Sequence, residues 1–214
     1  MKLEYINSST ELTTKQLEQD IYSLVNINNF DKIILPHFFI KKANELLKDS
    51  SSSISCLIDY PLGISNTESR LLSSSSINNM CDYIDITINA NFLCNRKFSL
   101  IKKEVEQHKL NFPKSIPRYI LEYRHFSAEF VKKACDILQE CGIEHVCLST
   151  GYFIDSIEDY LIASHLIKKH CKKLDIVLYI SNINDKKINL LNNHNFGVIR
   201  SNSIYTLEQI QRNI

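Results

Sequence analysis

Short runs rich in Ile, Val, Leu and Tyr alternate with longer stretches of helical period eight times along this chain. The runs fall at Glu4–Ser8, Lys32–Pro36, Ser55–Tyr60, Tyr83–Asn89, Arg118–Tyr123, His145–Thr150, Asp175–Ile180 and Gly197–Asn202. Such runs read as strands buried on both faces, because each is short, largely apolar and bounded by polar residues. Between them, Thr14–Val25 opens on a cap-like Thr-Thr. Ser127–Glu140 sets Phe130, Val131, Ala134 and Leu138 on one face, as an amphipathic helix does. Asp155–His170, Asn184–Asn192 and Ile204–Arg212 read as helices in the same way. Strand and helix alternating at a repeat of about 26 residues predict a parallel α/β fold. Two architectures satisfy that pattern, a single (β/α)8 TIM barrel over residues 1–214 and a doubly wound open sheet. The chain has only 4 glycines, and no glycine-rich turn follows any strand, so no dinucleotide or phosphate-loop fingerprint can be built. The barrel is the better expectation, with no linker and no second domain.

Charge removes several classes of function. Lys and Arg number 25 and Asp and Glu 24, a formal net charge of +1. That balance offers no basic footprint for nucleic acid and no polybasic arm for a membrane. No run approaches the length of a membrane-spanning helix, and Met1-Lys2-Leu3-Glu4 does not open a secretory signal. The 7 cysteines form no Cys-x-x-Cys pair and read as reduced thiols, so the expected location is cytoplasmic. His, Cys and carboxylate residues are too dispersed for a metal site, and no cofactor is implied. The serine runs Ser50–Ser53 and Ser73–Ser76 fit a loop and a helix surface respectively.

Three segments, in order, carry a family likeness. Ile58-Asp59-Tyr60-Pro61-Leu62-Gly63-Ile64-Ser65-Asn66-Thr67-Glu68 follows the third strand, Asp82-Tyr83-Ile84-Asp85-Ile86-Thr87-Ile88-Asn89 spans the fourth, and His145-Val146-Cys147-Leu148-Ser149-Thr150-Gly151 spans the sixth. They resemble the deoxyribose-phosphate aldolases, with weaker matches at Ile33–Phe39 and Tyr119–Glu122, so that the likeness runs from about Tyr5 to about Ser203. The resemblance implies a TIM barrel and class I aldol chemistry, in which a sixth-strand lysine forms a Schiff base that acts as an electron sink. A second lysine on the next strand lowers the pKa of the first, because like charges disfavour the ammonium form.

Carried over residue by residue, the departures weigh more than the matches. The Schiff-base position falls on Cys147 and the second lysine on Leu178. The double glycine of the phosphate cradle falls on Ser181-Asn182, the arginine after it on Asn184, and an early aspartate on Asn7. Asp85, Glu122, Ser149, Thr150, Gly151 and Ser203 survive. Neither a thiol nor a leucine forms an imine, so the resemblance implies an aldolase-like protein without class I activity. Such a protein would be kept as a sensor of a phosphosugar-like ligand or as an interaction subunit. The other reading is a divergent lyase that works on a phosphorylated sugar or related carbonyl compound without a Schiff base.

Barrel sites lie at the C-terminal ends of the strands. Period two puts Asp85, Thr87 and Asn89 on one strand face, with Arg118, Ile120 and Glu122 in phase on the next. Asp85 is therefore either an inherited acceptor or base, or half of a relict ion pair with Arg118. Cys147 is either a nucleophile or a thiol filling a lysine's former space. Ser149, Thr150 and Gly151 end the sixth strand with hydroxyls and amides suited to an anion, and Arg200 with Ser203 replaces the family's phosphate loop. Both clusters would equally end their strands without binding anything. A small phosphorylated or anionic ligand is thus the expected partner, and a homo-oligomer is compatible with everything above. His37 and His125 follow strands, His145 lies two positions before Cys147 at the wrong end of the strand to activate it, and Lys102 and Lys103 lie on a helix away from the site.

Overall fold

The computed structural model describes residues 1–153, 156–194 and 196–213. Eight parallel strands close into a barrel in chain order: β1 (Lys2–Ile6), β2 (Phe30–Pro36), β3 (Ser53–Ile58), β4 (Tyr83–Thr87), β5 (Ile116–Ile120), β6 (His145–Cys147), β7 (Asp175–Tyr179) and β8 (Val198–Ser201). Pairing of β1 with β8 closes the ring, with Glu4 opposite Arg200. The helices on the outside are α1 (Thr14–Leu24), α2 (Ile40–Leu46), α3 (Thr67–Ser76), α4 (Ala90–Cys94), α5 (Phe98–Asn111), α6 (Ala128–Glu140), α7 (Ile157–His170), α8 (Asp185–Asn193) and α9 (Ile204–Asn213). The (β/α)8 barrel expected from the repeat is the observed fold, and the open sheet is not.

Helix starts follow side-chain chemistry. Thr13 and Gln16 form a capping box at α1, and Asn66, Ser127, Ser156 and Asn184 each accept a first-turn amide with their side chain. Ser127 and Asn184 are thus caps rather than helical residues. Asp155 of the expected Asp155–His170 helix lies outside the described residues. The serine tract does ride on α3, where Ser73, Ser75 and Ser76 return their hydroxyls to carbonyls three or four residues back. Ser74 is buried.

Most strands stop two or three residues short of their apolar runs at the C-terminal end. There the chains splay into a mouth, keeping single bonds such as Ile88 N–H to Ile120 O at 2.8 Å and Leu121 N–H to Cys147 O at 2.8 Å. The apolar core lies between strands and helices: Leu17, Ile21 and Leu24 of α1, and Val131, Ala134 and Leu138 of α6, pack with outward strand residues such as Ile33, Ile86 and Val146. The barrel interior is different. Branched apolar residues usually fill it, but here Glu4, Lys32, Ser55, Asp85, Arg118 and Arg200 are all buried.

Candidate functional site

Four charges cross the barrel interior. Arg118 on β5 donates from Nε and Nη2 to Asp85 Oδ2 on β4, at 3.2 and 2.6 Å, and from Nη1 to Glu4 on β1. Arg200 on β8 donates from Nε and Nη2 to Glu4 Oε2, at 3.0 and 2.9 Å, and from Nη2 to Asp85 Oδ1 at 2.7 Å. Ser55 Oγ donates to Asp85 Oδ2 at 2.5 Å. The result is a closed ring of alternating sign in which each carboxylate meets both guanidinium groups. Lys32 lies 3.8 Å from Glu4 at its edge. None of the four is more than 3% exposed.

Strand parity accounts for the ring. Asp85 is in register with Arg118 and Glu4 with Arg200, and register partners in a parallel ladder point to the same face. Closure then sets β1 opposite β5 and β4 opposite β8. Burial pushes the carboxyls of Glu4 and Asp85 upward, but the Arg118 and Arg200 charges outweigh it and hold both below the usual carboxylate range. Asp85 is therefore a fixed anion with both oxygens engaged, a poor proton shuttle.

Above the ring, Cys147 is 1% exposed. Its Sγ–H donates to Ser149 O at 3.2 Å and lies 3.8 Å from the Tyr160 hydroxyl. Burial pushes this thiol up, with Arg200 only partly opposing it, so the neutral form is favoured. Tyr160 reaches in from α7 between β6 and β7, accepting from Leu148 N–H at 2.9 Å and donating to Val177 O at 2.6 Å. Leu178 corrects the residue-by-residue reading. It pairs with Ile199 while Tyr179 pairs with Arg200, so Leu178 faces the helices and the inward positions of β7 are Val177 and Tyr179. Neither β6 nor β7 carries a lysine at any position.

The mouth is built by β5 and β6. Glu122 Oε2 accepts from Thr150 N–H at 2.9 Å and from Thr150 Oγ1 at 2.6 Å, and Gly151 N–H donates to Ser149 Oγ at 3.0 Å. Tyr60, from the loop after β3, donates its hydroxyl to Thr150 O, and burial pushes that phenol up to about 12. Beside it opens a cleft of roughly 550 Å³ lined by Asn7, Ser8, Thr10, Gly151, Tyr179 and Asn202 among others. Asn7 turns its amide to Tyr5 and to Asp20 of α1.

The structure therefore divides the expected site residues. Asp85, Arg118 and Arg200 come together inside the barrel. Glu122, Ser149, Thr150 and Gly151 come together at the mouth, and Cys147 lies between the two groups. Arg200 does not line the cleft, contrary to a place in an open phosphate loop, because its parity turns it inward. Ser203 caps α9, accepting from Thr206 N–H at 3.2 Å. His37 bonds Ser76 at 3.0 Å, His125 sits edge-on to Phe153 at 4.4 Å, and Lys102 and Lys103 are exposed on α5. Sequence reasoning missed Glu4, Tyr60, Tyr160 and Tyr179. Only Glu4 left a signal, a carboxylate within a buried strand.

No protein-family model matches the chain. It is 29% identical over 174 residues to a deoxyribose-phosphate aldolase of Mycoplasma capricolum, covering 78% of each chain. A solved structure described as "QR15, an Aldolase" superposes with a TM-score of 0.83 at 18% identity, over 99% of this chain and 94% of that one. The tetrameric deoxyribose phosphate aldolase from Aeropyrum pernix gives 0.81 at 14% identity, over 97% and 88%. Barrel closure and strand order define a TIM barrel, the fold these solved structures share. Within that class the chain is similar in sequence to deoxyribose-phosphate aldolases, at 29% and 26% identity to two mycoplasma relatives.

Proposed function

We propose that this chain is a deoxyribose-phosphate aldolase-like barrel that does not run class I aldol chemistry. It serves instead as a sensor or interaction subunit that holds a small sugar-like ligand at the mouth. The observation that carries the reading is Asp85, whose two carboxylate oxygens are held by Arg118 and Arg200. A residue so fixed cannot join a proton relay. The absence of any amine on β6 and β7, with a neutral buried thiol at Cys147, supports the same reading. The cleft is lined by the hydroxyls of Ser8 and Thr10 and the amide of Asn202, groups that suit a polyhydroxylated compound. With Arg118 and Arg200 engaged below, the anionic part of a phosphorylated ligand would have to take over the Ser149–Gly151 hydroxyls and amides from Glu122 and from Ser149 Oγ. Ligand-binding roles for Glu122, Thr150 and Ser203 then reduce to shaping the mouth. Reduced, unpaired thiols fit a cytoplasmic setting.

The test is borohydride trapping with deoxyribose 5-phosphate and acetaldehyde, read by intact mass, beside a thermal-shift titration of the same sugar phosphate. The expected result is no covalent adduct and a rise in melting temperature that Asn202→Ala diminishes. A reduced adduct on any lysine would overturn the proposal.

A further inference from the structure

A second chamber opens at the mouth beside the polar cleft. It lies among the segments that follow β3, β4, β5 and β6, has a volume of roughly 290 Å³, and is walled by Pro61, Leu62, Ile88, Phe126 and Phe153. Its neighbour is the cleft that Ser8, Thr10 and Asn202 line, and Tyr152 is a wall common to both. His125 stands edge-on to Phe153, ring centroids 4.4 Å apart, and edge-on to Phe126 at 6.5 Å, so three rings meet in one wall of the chamber. Glu122 also reaches this space, with its Oε2 turned to Thr150 N–H and Oγ1. Leu62 and Phe153 remain 60% and 43% exposed. Large side chains standing singly at a surface are ordinary. Here they rim one concavity that adjoins a polar one.

We infer that this chamber is the second half of one ligand site and takes a neutral planar ring attached to the sugar in the polar cleft, so that the ligand class is an aryl glycoside. The inference rests on the sugar-holding role proposed above and adds the substituent that the sugar carries. Small-molecule sites are mostly apolar concavities with a few polar groups that fix orientation. Here the apolar and polar parts stand side by side, joined at Tyr152. A volume of roughly 290 Å³ is at the small end of such sites and gives room for a ring rather than for a peptide segment. Walls made of rings favour a ring as occupant, because offset and edge-to-face contacts add to the gain from area burial. The occupant is neutral because, among the described residues, no lysine or arginine lines the chamber and its one carboxylate is already bonded to Thr150. A charge brought in there would lose its water without gaining an ionic partner.

Calorimetric titration of the full chain with deoxyribose 5-phosphate, methyl 2-deoxyriboside and phenyl 2-deoxyriboside tests this. The phenyl compound is expected to bind more tightly than the methyl one by about tenfold or more, the scale set by burying one ring. Cys94 is exposed and lines the chamber, so Cys94→Phe fills it without disturbing the core. That variant is expected to bring the affinity ratio of the two glycosides close to one. In the wild type, the phenyl compound is expected to slow iodoacetamide labelling of Cys94 more than the methyl compound does at equal occupancy. Equal affinities for the two glycosides, or a phenyl preference without protection of Cys94, overturn the inference and leave the sugar-holding role standing. Binding of none of the three sugars overturns that role and the inference together.

Discussion

Arg200 on β8 and Asp85 on β4 meet across the barrel, Nη2 to Oδ1 at 2.7 Å, and Glu4 meets Arg118 on the other diameter. The two contacts tie opposite walls of one closed sheet. The barrel interior here holds a neutral cluster of fixed charges. Desolvating four ions is expensive, and the expense is offset only while every member keeps its partners.

Removing one member should therefore be worse than removing all four. Arg118→Met leaves Glu4 and Asp85 sharing one guanidinium and is expected to cost about 3–5 kcal/mol of stability, the range for breaking a buried ion pair. Replacing Glu4 and Asp85 by Leu together with Arg118 and Arg200 by Met should recover most of that loss. Urea unfolding of the two variants checks the order. An Arg118→Met protein as stable as wild type would show that the ring does not hold the barrel.

Acid should weaken the protein in two stages. His108 on α5 is fully buried, its Nδ1 donating to Glu104 O at 3.0 Å, and burial pushes its pKa down to about 4. The unfolded chain binds that proton below about pH 6.5, the folded one only near 4, so stability from this group is lost as pH falls between those values. The loss is of the order of 3 kcal/mol at most. Glu104 opposes part of it: burial raises its pKa, so its protonation in the fold favours the native state as pH falls. Glu4 and Asp85, held low in the fold, contribute stability above about pH 4 that disappears below it. Unfolding free energies of wild type and His108→Phe from pH 7 to 4.5 should diverge, with the variant the flatter of the two.

Much of this architecture is legible in the chain because buried parallel strands are short apolar runs and surface helices are periodic, two local signals. Strand phase likewise places Asp85 with Arg118 on neighbouring strands. Glu4 and Arg200 were harder. Their partners are fixed by closure of the ring, which no local pattern records, and a family likeness puts Arg200 at the mouth when parity turns it inside. Leu178 fails for the same reason, since aligning letters does not establish which face of a strand a residue occupies. Tyr60 and Tyr179 reach the mouth from a loop and a strand end, where side-chain direction depends on how the strands splay.

Thiol reactivity should follow exposure rather than the family's choice of catalytic position. Cys94 is exposed and Cys141 half-buried, while Cys56, Cys81, Cys135, Cys147 and Cys171 are buried. Burial pushes Cys81 up to about 11 and Cys171 up to about 12, and raises Cys147 as well. Because the thiolate is the reactive form, iodoacetamide on the native protein at pH 7.5 should label Cys94 first and leave Cys147 unmodified until urea is added. Peptide mass spectrometry gives the order. Early alkylation of Cys147 would instead identify a reactive nucleophile at the aldolase position.

Gly151 and Tyr179 fix the shape of the cleft jointly. Gly151 has φ of +76°, and a Cβ there would lie 2.2 Å from Cζ of the Tyr179 ring, inside any permitted contact. Gly151→Ala thus carries two separable penalties: about 1–2 kcal/mol for a left-handed backbone with a side chain, and displacement of the ring. Tyr179→Ala should remove the second and leave the first, so the double variant is expected to be less destabilised than the sum of the single ones, a coupling readable by a double-mutant cycle. The chain has no tryptophan, so tyrosine fluorescence of Gly151→Ala also reports the ring leaving its seat. Additive single effects, with unchanged fluorescence, would mean that Tyr179 does not rest on Gly151 and that the cleft is shaped by other residues.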